Sequence, residues 1–191
     1  MEKTNNTRIM VMTAFFAGIV YLGIQIFRIP VPSAFGTPFL HFGHIFVVLS
    51  IICLGPKYSA IASVIGYLIF DIVNGYIQAI PNVLLSTIIK CTVVGLIYIA
   101  LSKKAQGDYK KLQISATVTA AIYGLLSIVI DFILSTIELM LVGNAFVTAI
   151  TIEIAAIPAT AINAVFTVIG ISILYLPVTS AYNKIIKKAA V

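Results

Sequence analysis

Charge is what this sequence has least of. Asp, Glu, Lys and Arg together supply 9% of its 191 residues, where a soluble domain carries about a quarter. With 61% hydrophobic residues the chain lacks the polar side chains to cover a surface in water. That excludes a soluble globular protein, and the mean hydropathy of +1.12 points to a bilayer. The length fits one domain. Acidic residues are scarcer than basic ones, six against twelve, for a net charge of +6. The basic residues fall between hydrophobic runs and at the tail, so they form no nucleic-acid groove and act instead as a topology signal. Cysteine is nearly absent: Cys53 and Cys91 both lie in apolar runs, as small buried hydrophobes rather than a disulfide. The opening "MEKTNNTR" is too short and mixed in polarity for a secretory signal, and no A-x-A-like cleavage site follows the first apolar run. No stretch is low-complexity and no internal repeat is visible.

Catalytic motifs are missing too. There is no G-x-x-x-x-G-K-[ST] loop, and "LGPKYS" lacks its glycine spacing, so ATP is not bound by that route. H-E-x-x-H and G-x-S-x-G are absent. Asp71 has no second aspartate at the spacing an intramembrane aspartyl protease uses. No enzyme has a constellation to stand on here, and no cofactor is implied.

What is present is a series of apolar runs. A spanning helix needs about 20 predominantly apolar residues, and six spans are expected: roughly 9–27, 43–56, 58–75, 82–101, 113–137 and 150–176. The second is short and stops at Gly55-Pro56, a pair that turns the chain because proline cannot continue the helical hydrogen bonds. The expected fold is an all-α integral membrane protein, one domain over 1–191. With the N-terminus cytoplasmic, the inner side carries Lys3, Arg8, Lys57, Lys103, Lys104, Lys110, Lys111, Lys184, Lys187 and Lys188; the outer side carries Arg28. That bias places both termini inside. It puts the proline-bearing loop "RIPVPSAFGTPFLHFG" outside.

Intramembrane charges are costly and face a bundle interior or a bound solute. Asp71, Lys90, Asp131, Glu138 and Glu153 all gather toward the outer half. Residues three and four apart share a helix face. On the fifth span Ala116, Ala120, Gly124, Ser127, Asp131, Ser135 and Glu138 form one stripe; on the sixth Glu153, Ala156, Thr160, Asn163, Thr167 and Gly170 form another. Asn82, Ser86 and Lys90 stack on the fourth. Small residues let helices approach closely, and the polar outer ends are expected to line an outward-opening cavity. The alternative is interhelical hydrogen bonding with no solute, including a structural Asp71–Lys90 ion pair. His41 and His44, three apart, are weighed as metal ligands and as interfacial histidines beside aromatic rings; the second is preferred. Two small-xxx-small surfaces, Ala14 with Gly18 and Ala62 with Gly66, either pack inside the chain or dock a partner subunit.

The run "FLHFGHIFVVLSIICLGPKYSAIASVIGYLIFDIVNGY", followed by "TIIK", resembles the substrate-binding S component of an energy-coupling factor (ECF) vitamin transporter. The closer likeness is to members assigned to hydroxymethylpyrimidine or pyridoxine, related to the riboflavin type. Gly43, Gly55, Pro56, Gly66, Asp71, Gly75, Tyr76 and Lys90 carry the resemblance, with "IPATAIN" (157–163) a looser extension. The resemblance implies a prokaryotic plasma-membrane protein that takes a vitamin from outside under a loop after helix one. It also implies partners, a transmembrane T subunit and two cytoplasmic ATPases, and toppling in the bilayer to release cargo. The A-x-x-x-A docking motif of such proteins is matched by Ala14, with Gly18 at its second alanine. Relatives often carry an aspartate where this chain has His44. Metal-specific members begin with a Met-His motif, which "MEKTNN" lacks, so nickel or cobalt cargo is disfavoured. The substrate-contacting residues expected on these grounds are Lys90, Asp131, Glu153, Asn163, Ser86, Ser135 and His44. A standalone secondary carrier, an assembly protein without a solute, and riboflavin or another vitamin as cargo are the alternatives.

Overall fold

A computed structural model describes residues 2–31 and 38–187 of the chain. The middle of the proline-bearing loop (32–37) and Lys188 lie outside the described residues. Five helices are long and apolar enough to cross a membrane among them. They are α1 (Glu2–Gln25), α2 (Gly43–Asn74), α3 (Ile80–Lys104), α4 (Tyr109–Leu141) and α5 (Phe146–Lys187). A two-residue hairpin joins α1 to α2, with β1 (Ile29–Pro30) antiparallel to β2 (Phe39–Leu40) and Ile29 opposite Leu40. A 3₁₀ turn at Ile77–Ala79 precedes α3.

The difference from the six expected spans lies in α2. Gly55 sits inside it at φ 75°, ψ 177°, a conformation only glycine adopts without strain, and Pro56 then supplies the fixed φ suited to a helix start. The chain reverses there. Both ends of α2 return to the end of α1: a Cβ on Gly43 would sit 2.3 Å from Ile24, and Asn74 Nδ2 donates to Gln25 Oε1 at 2.8 Å. The spans expected at 43–56 and 58–75 are the two arms of this hairpin. The short arm (43–54) is only about 18 Å long. The other helices outrun their expected ranges: α4 and α5 are 33 and 42 residues long, because helical hydrogen bonding continues past the apolar stretch on which the span estimates rest.

Glycine and alanine set the packing distances. Gly66 approaches the Ala17 carbonyl, Gly95 approaches Pro56, and Gly124 approaches Ala164 so closely that an added Cβ would lie within 3 Å of each. The short arm is the centre of the bundle: Val47, Val48, Leu49, Ser50 and Ile51 are all fully buried. Isoleucine, valine and leucine on the outer faces of α3, α4 and α5 (Leu85, Ile88, Val129, Ile133, Val165, Ile169) are exposed. That is the surface a bilayer rather than water accommodates. Asp108 caps α4 by accepting the amides of Lys110 and Lys111 at 2.8 and 3.2 Å.

Candidate functional site

The polar residues of α3 and α4 meet near one end of the bundle. Lys90 Nζ donates to both carboxylate oxygens of Asp131, at 2.8 and 2.9 Å. The Lys90 side chain is 4% exposed and that of Asp131 32%. One to two turns further along, Asn82 Nδ2 donates to Ser135 Oγ at 3.0 Å and to Glu138 Oε2 at 2.7 Å. Beside these ties lies a cavity of about 130 Å³, lined by His44 and Tyr67 of α2, Asn82, Ser86, Thr87 and Lys90 of α3, and Asp131 and Ser135 of α4.

Several buried polar atoms at this cavity have no partner among the described residues. They include His44 Nδ1 on its wall, and the Tyr67 hydroxyl on the wall and the Tyr123 hydroxyl behind it find only each other as neighbours. Tyr123 packs edge-on against His44, with ring centres 5.3 Å apart, and its ring lies 5.7 Å from Lys90 Nζ. Buried polar groups are nearly always satisfied, and each orphan costs about 1–3 kcal/mol. These atoms cluster around this void.

Five of the seven substrate-contacting residues expected from sequence line this cavity: Lys90, Asp131, Ser86, Ser135 and His44. Asn163 does not. It is buried on α5, and its side-chain amide is engaged by the connection between α1 and α2: Oδ1 accepts the His41 amide at 3.0 Å, and Nδ2 donates to the Phe39 carbonyl at 3.1 Å. Asn163 is therefore a clamp on that connection. Glu153 is half-buried on α5, outside the cavity lining, within electrostatic reach of Glu138 and Asp131. The Asp71–Lys90 ion pair weighed from sequence is not formed, because Asp131 occupies the ammonium. Asp71 is buried one turn from the end of α2, with Oδ2 unpartnered, while its backbone carbonyl accepts the Tyr76 amide and helps close α2.

The other end of the loop is held by Arg28. Its guanidinium lies 4.5 Å from the Phe39 ring centre, 5.7 Å from Phe70 and 5.4 Å from Tyr76. It donates to Asn74 Oδ1 at 3.3 Å and to the Tyr76 hydroxyl. His41 completes the clamp: its Nδ1 accepts the Gly43 amide at 3.1 Å, satisfying a first-turn donor that no side chain of the N-cap residue reaches. Burial, reinforced by the Lys90 charge, pushes the His41 imidazole down to about 4. No three His, Cys, Asp or Glu side chains group as a metal site among the described residues.

Sequence reasoning missed Tyr67 and Tyr123. Tyr67 lies one turn before Asp71, and Tyr123 lies between Ala120 and Ser127 on the small-residue stripe, so position on those faces was the available signal. The small-residue pairs separate cleanly. Ala62 and Gly66 are buried against α1, so their partner is this chain's own helix and their expected docking role is replaced by internal packing. Ala14 and Gly18 face outward, with open space around Gly18.

The arrangement offers a satisfied ion pair, unpartnered polar atoms and aromatic walls. No curated protein and no solved structure matches the sequence. Residues 4–183 match the family model for the ECF-type riboflavin transporter, S component, which spans every helix that builds the cavity, and this multi-pass membrane chain belongs to that family.

Proposed function

We propose that the chain is the cargo-binding subunit of an ECF importer in a prokaryotic plasma membrane, and that its cargo is a one-ring vitamin or precursor, hydroxymethylpyrimidine or pyridoxine. The observation that carries this reading is the 130 Å³ cavity walled by Lys90–Asp131, His44 and Tyr67. A cavity of about 150 Å³ holds a single benzene ring, so one six-membered ring fills this space and a fused tricyclic ring exceeds it. Ring hydroxyl and amine groups find partners in Asp131, Lys90, Ser86 and the orphaned His44 Nδ1, and aromatic walls favour a flat ring. Riboflavin is the second reading, favoured by the description of the family.

In this reading both termini and the lysine-rich end are cytoplasmic, six helical rods cross the membrane with the arms of α2 counted separately, and the loop clamped by Arg28 and Asn163 covers the site from outside. Ala14 and Gly18 form the notch that meets the T subunit, and two ATPases drive release. The decisive measurement is thermal unfolding of the purified chain in detergent with each compound. A ligand at about 100 times its dissociation constant adds about 2.7 kcal/mol of stability. Stabilisation by pyridoxine or hydroxymethylpyrimidine supports the one-ring cargo, and stabilisation by riboflavin alone replaces it. No shift with any of them, in protein free of co-purified ligand, refutes the assignment.

A further inference from the structure

A second, larger cavity lies at the opposite end of the bundle from the cargo site. It measures about 560 Å³ and opens at the lysine-rich end, with Ile52 and Cys53 of the short arm as its roof. Its origin is the unequal hairpin: the short arm stops at Leu54, while α3 and α5 run on to Lys104 and Lys187. Among the described residues no side chain fills the space left beneath it.

We propose that this vestibule seats the headgroup of an anionic phospholipid. Its walls are amphipathic in the manner of a membrane interface. Tyr98, Tyr109, Tyr175 and Tyr182 come from three helices, and tyrosine prefers that depth because its ring is apolar and its hydroxyl wet. Lys184 stands at the mouth, exposed and without an ion pair among the described residues. Lys57, Lys103, Lys104, Lys110 and Lys111 lie on the same end, where the described acids are Glu2 at the start of α1 and Asp108, already committed to capping α4. Basic pockets between helices on the cytoplasmic side are suited to anionic headgroups. The cargo cavity has the opposite character, a matched pair beside further carboxylates, so a phosphodiester belongs at this end.

Cys53 provides the readout, because it lines the vestibule while Cys91 is fully buried. The full chain in neutral detergent is labelled with N-ethylmaleimide while short-chain phosphatidylglycerol is titrated. At ten times its dissociation constant the lipid slows Cys53 labelling about elevenfold, whereas phosphatidylcholine of equal chain length and inorganic phosphate do not. Lys184→Gln weakens the protection roughly tenfold, the worth of one charged hydrogen bond; the double variant Lys103→Gln with Lys104→Gln keeps it. Equal protection by phosphatidylcholine assigns the pocket to acyl chains, protection by phosphate alone assigns it to a free anion, and equal loss in the Lys103/Lys104 variant reduces the effect to surface charge. Each of these overturns the proposal. Native mass spectrometry provides a second measurement independent of Cys53 reactivity: no preference for phosphatidylglycerol over phosphatidylcholine is equally fatal.

Discussion

Asymmetric burial of the Lys90–Asp131 pair makes the two halves of the interaction unequal. Replacing Asp131 with Leu leaves an ammonium whose side chain is 4% exposed, on a helix face closed by α4 and α2 except where it borders the small cavity. Breaking a buried pair in this way costs about 3–5 kcal/mol, roughly 6–20 °C in midpoint for a chain of this size. Replacing Lys90 with Met leaves a carboxylate that is already 32% exposed and regains water where it stands, at a cost of about 1 kcal/mol. The double variant, Lys90→Met with Asp131→Leu, puts apolar groups of similar volume in both positions and returns to within about 1 kcal/mol of the parent, giving a large coupling energy in a double-mutant cycle. The assay is thermal unfolding in detergent followed by circular dichroism, on protein shown by size exclusion to be monodisperse. All three variants lose ligand binding. Equal losses in the two single variants, or the larger loss in Lys90→Met, would refute the burial argument; a double variant as unstable as the worse single would show that the pair is not acting as a unit.

Asn163→Ala frees the His41 amide and the Phe39 carbonyl, so cargo affinity should fall about tenfold, the equivalent of one lost hydrogen bond, with the helical content unchanged. Unaltered affinity by isothermal titration removes Asn163 from the loop clamp. Gly18→Leu meets open space and should leave the midpoint unchanged while abolishing capture of the T subunit in a pull-down. Gly66→Leu drives a side chain into the Ala17 carbonyl, 2.8 Å from an added Cβ, and should cost stability by overpacking, about 1–3 kcal/mol. Similar thermal behaviour of the two variants would contradict the placement of α1 against α2. For His41 the folded state holds the imidazole at about 4 against an ordinary value of 6.5, so between these values the unfolded chain binds more protons. Stability is therefore full above pH 6.5 and declines as pH falls toward 4, by at most about 3 kcal/mol. The decline should flatten in His41→Gln, and an identical pH profile in that variant would assign the dependence to other groups.

Much of this arrangement is legible from residue spacing alone. The face carrying Ala116, Ala120, Gly124 and Ser127 is inward-facing, and the small residues do permit close approach, as Gly124 against Ala164 shows. The stack of Asn82, Ser86 and Lys90 leads directly to the cavity wall. Pairings between helices are another matter. Helical periodicity fixes which residues share a face but not which face it meets, so Lys90 had two aspartates within plausible depth, and only the packing of α3 on α4 selects Asp131. Asn163 lies on the expected stripe, yet its partners are backbone atoms up to 124 residues away, which no side-chain pattern encodes. Tyr67 and Tyr123 were hidden for a different reason: in an apolar run a tyrosine counts as an aromatic ring, and its hydroxyl acquires meaning only when burial leaves it without a partner.

The short arm of α2 also has a consequence for how the molecule is made. Twelve residues are too few to span the hydrocarbon on their own, and a segment of that length enters a membrane as part of something larger. It emerges from the ribosome early, directly after α1, yet one wall of its seat is Gly170 of α5, which packs on Ile45, near the end of the chain. For most of synthesis the most deeply buried segment of the finished protein has no complete socket. The reversal at Gly55 resolves the difficulty by tying the short arm to a longer one that can anchor it. The arm is thus carried into the bilayer before its final neighbours exist, and α5, translated after it, closes over it.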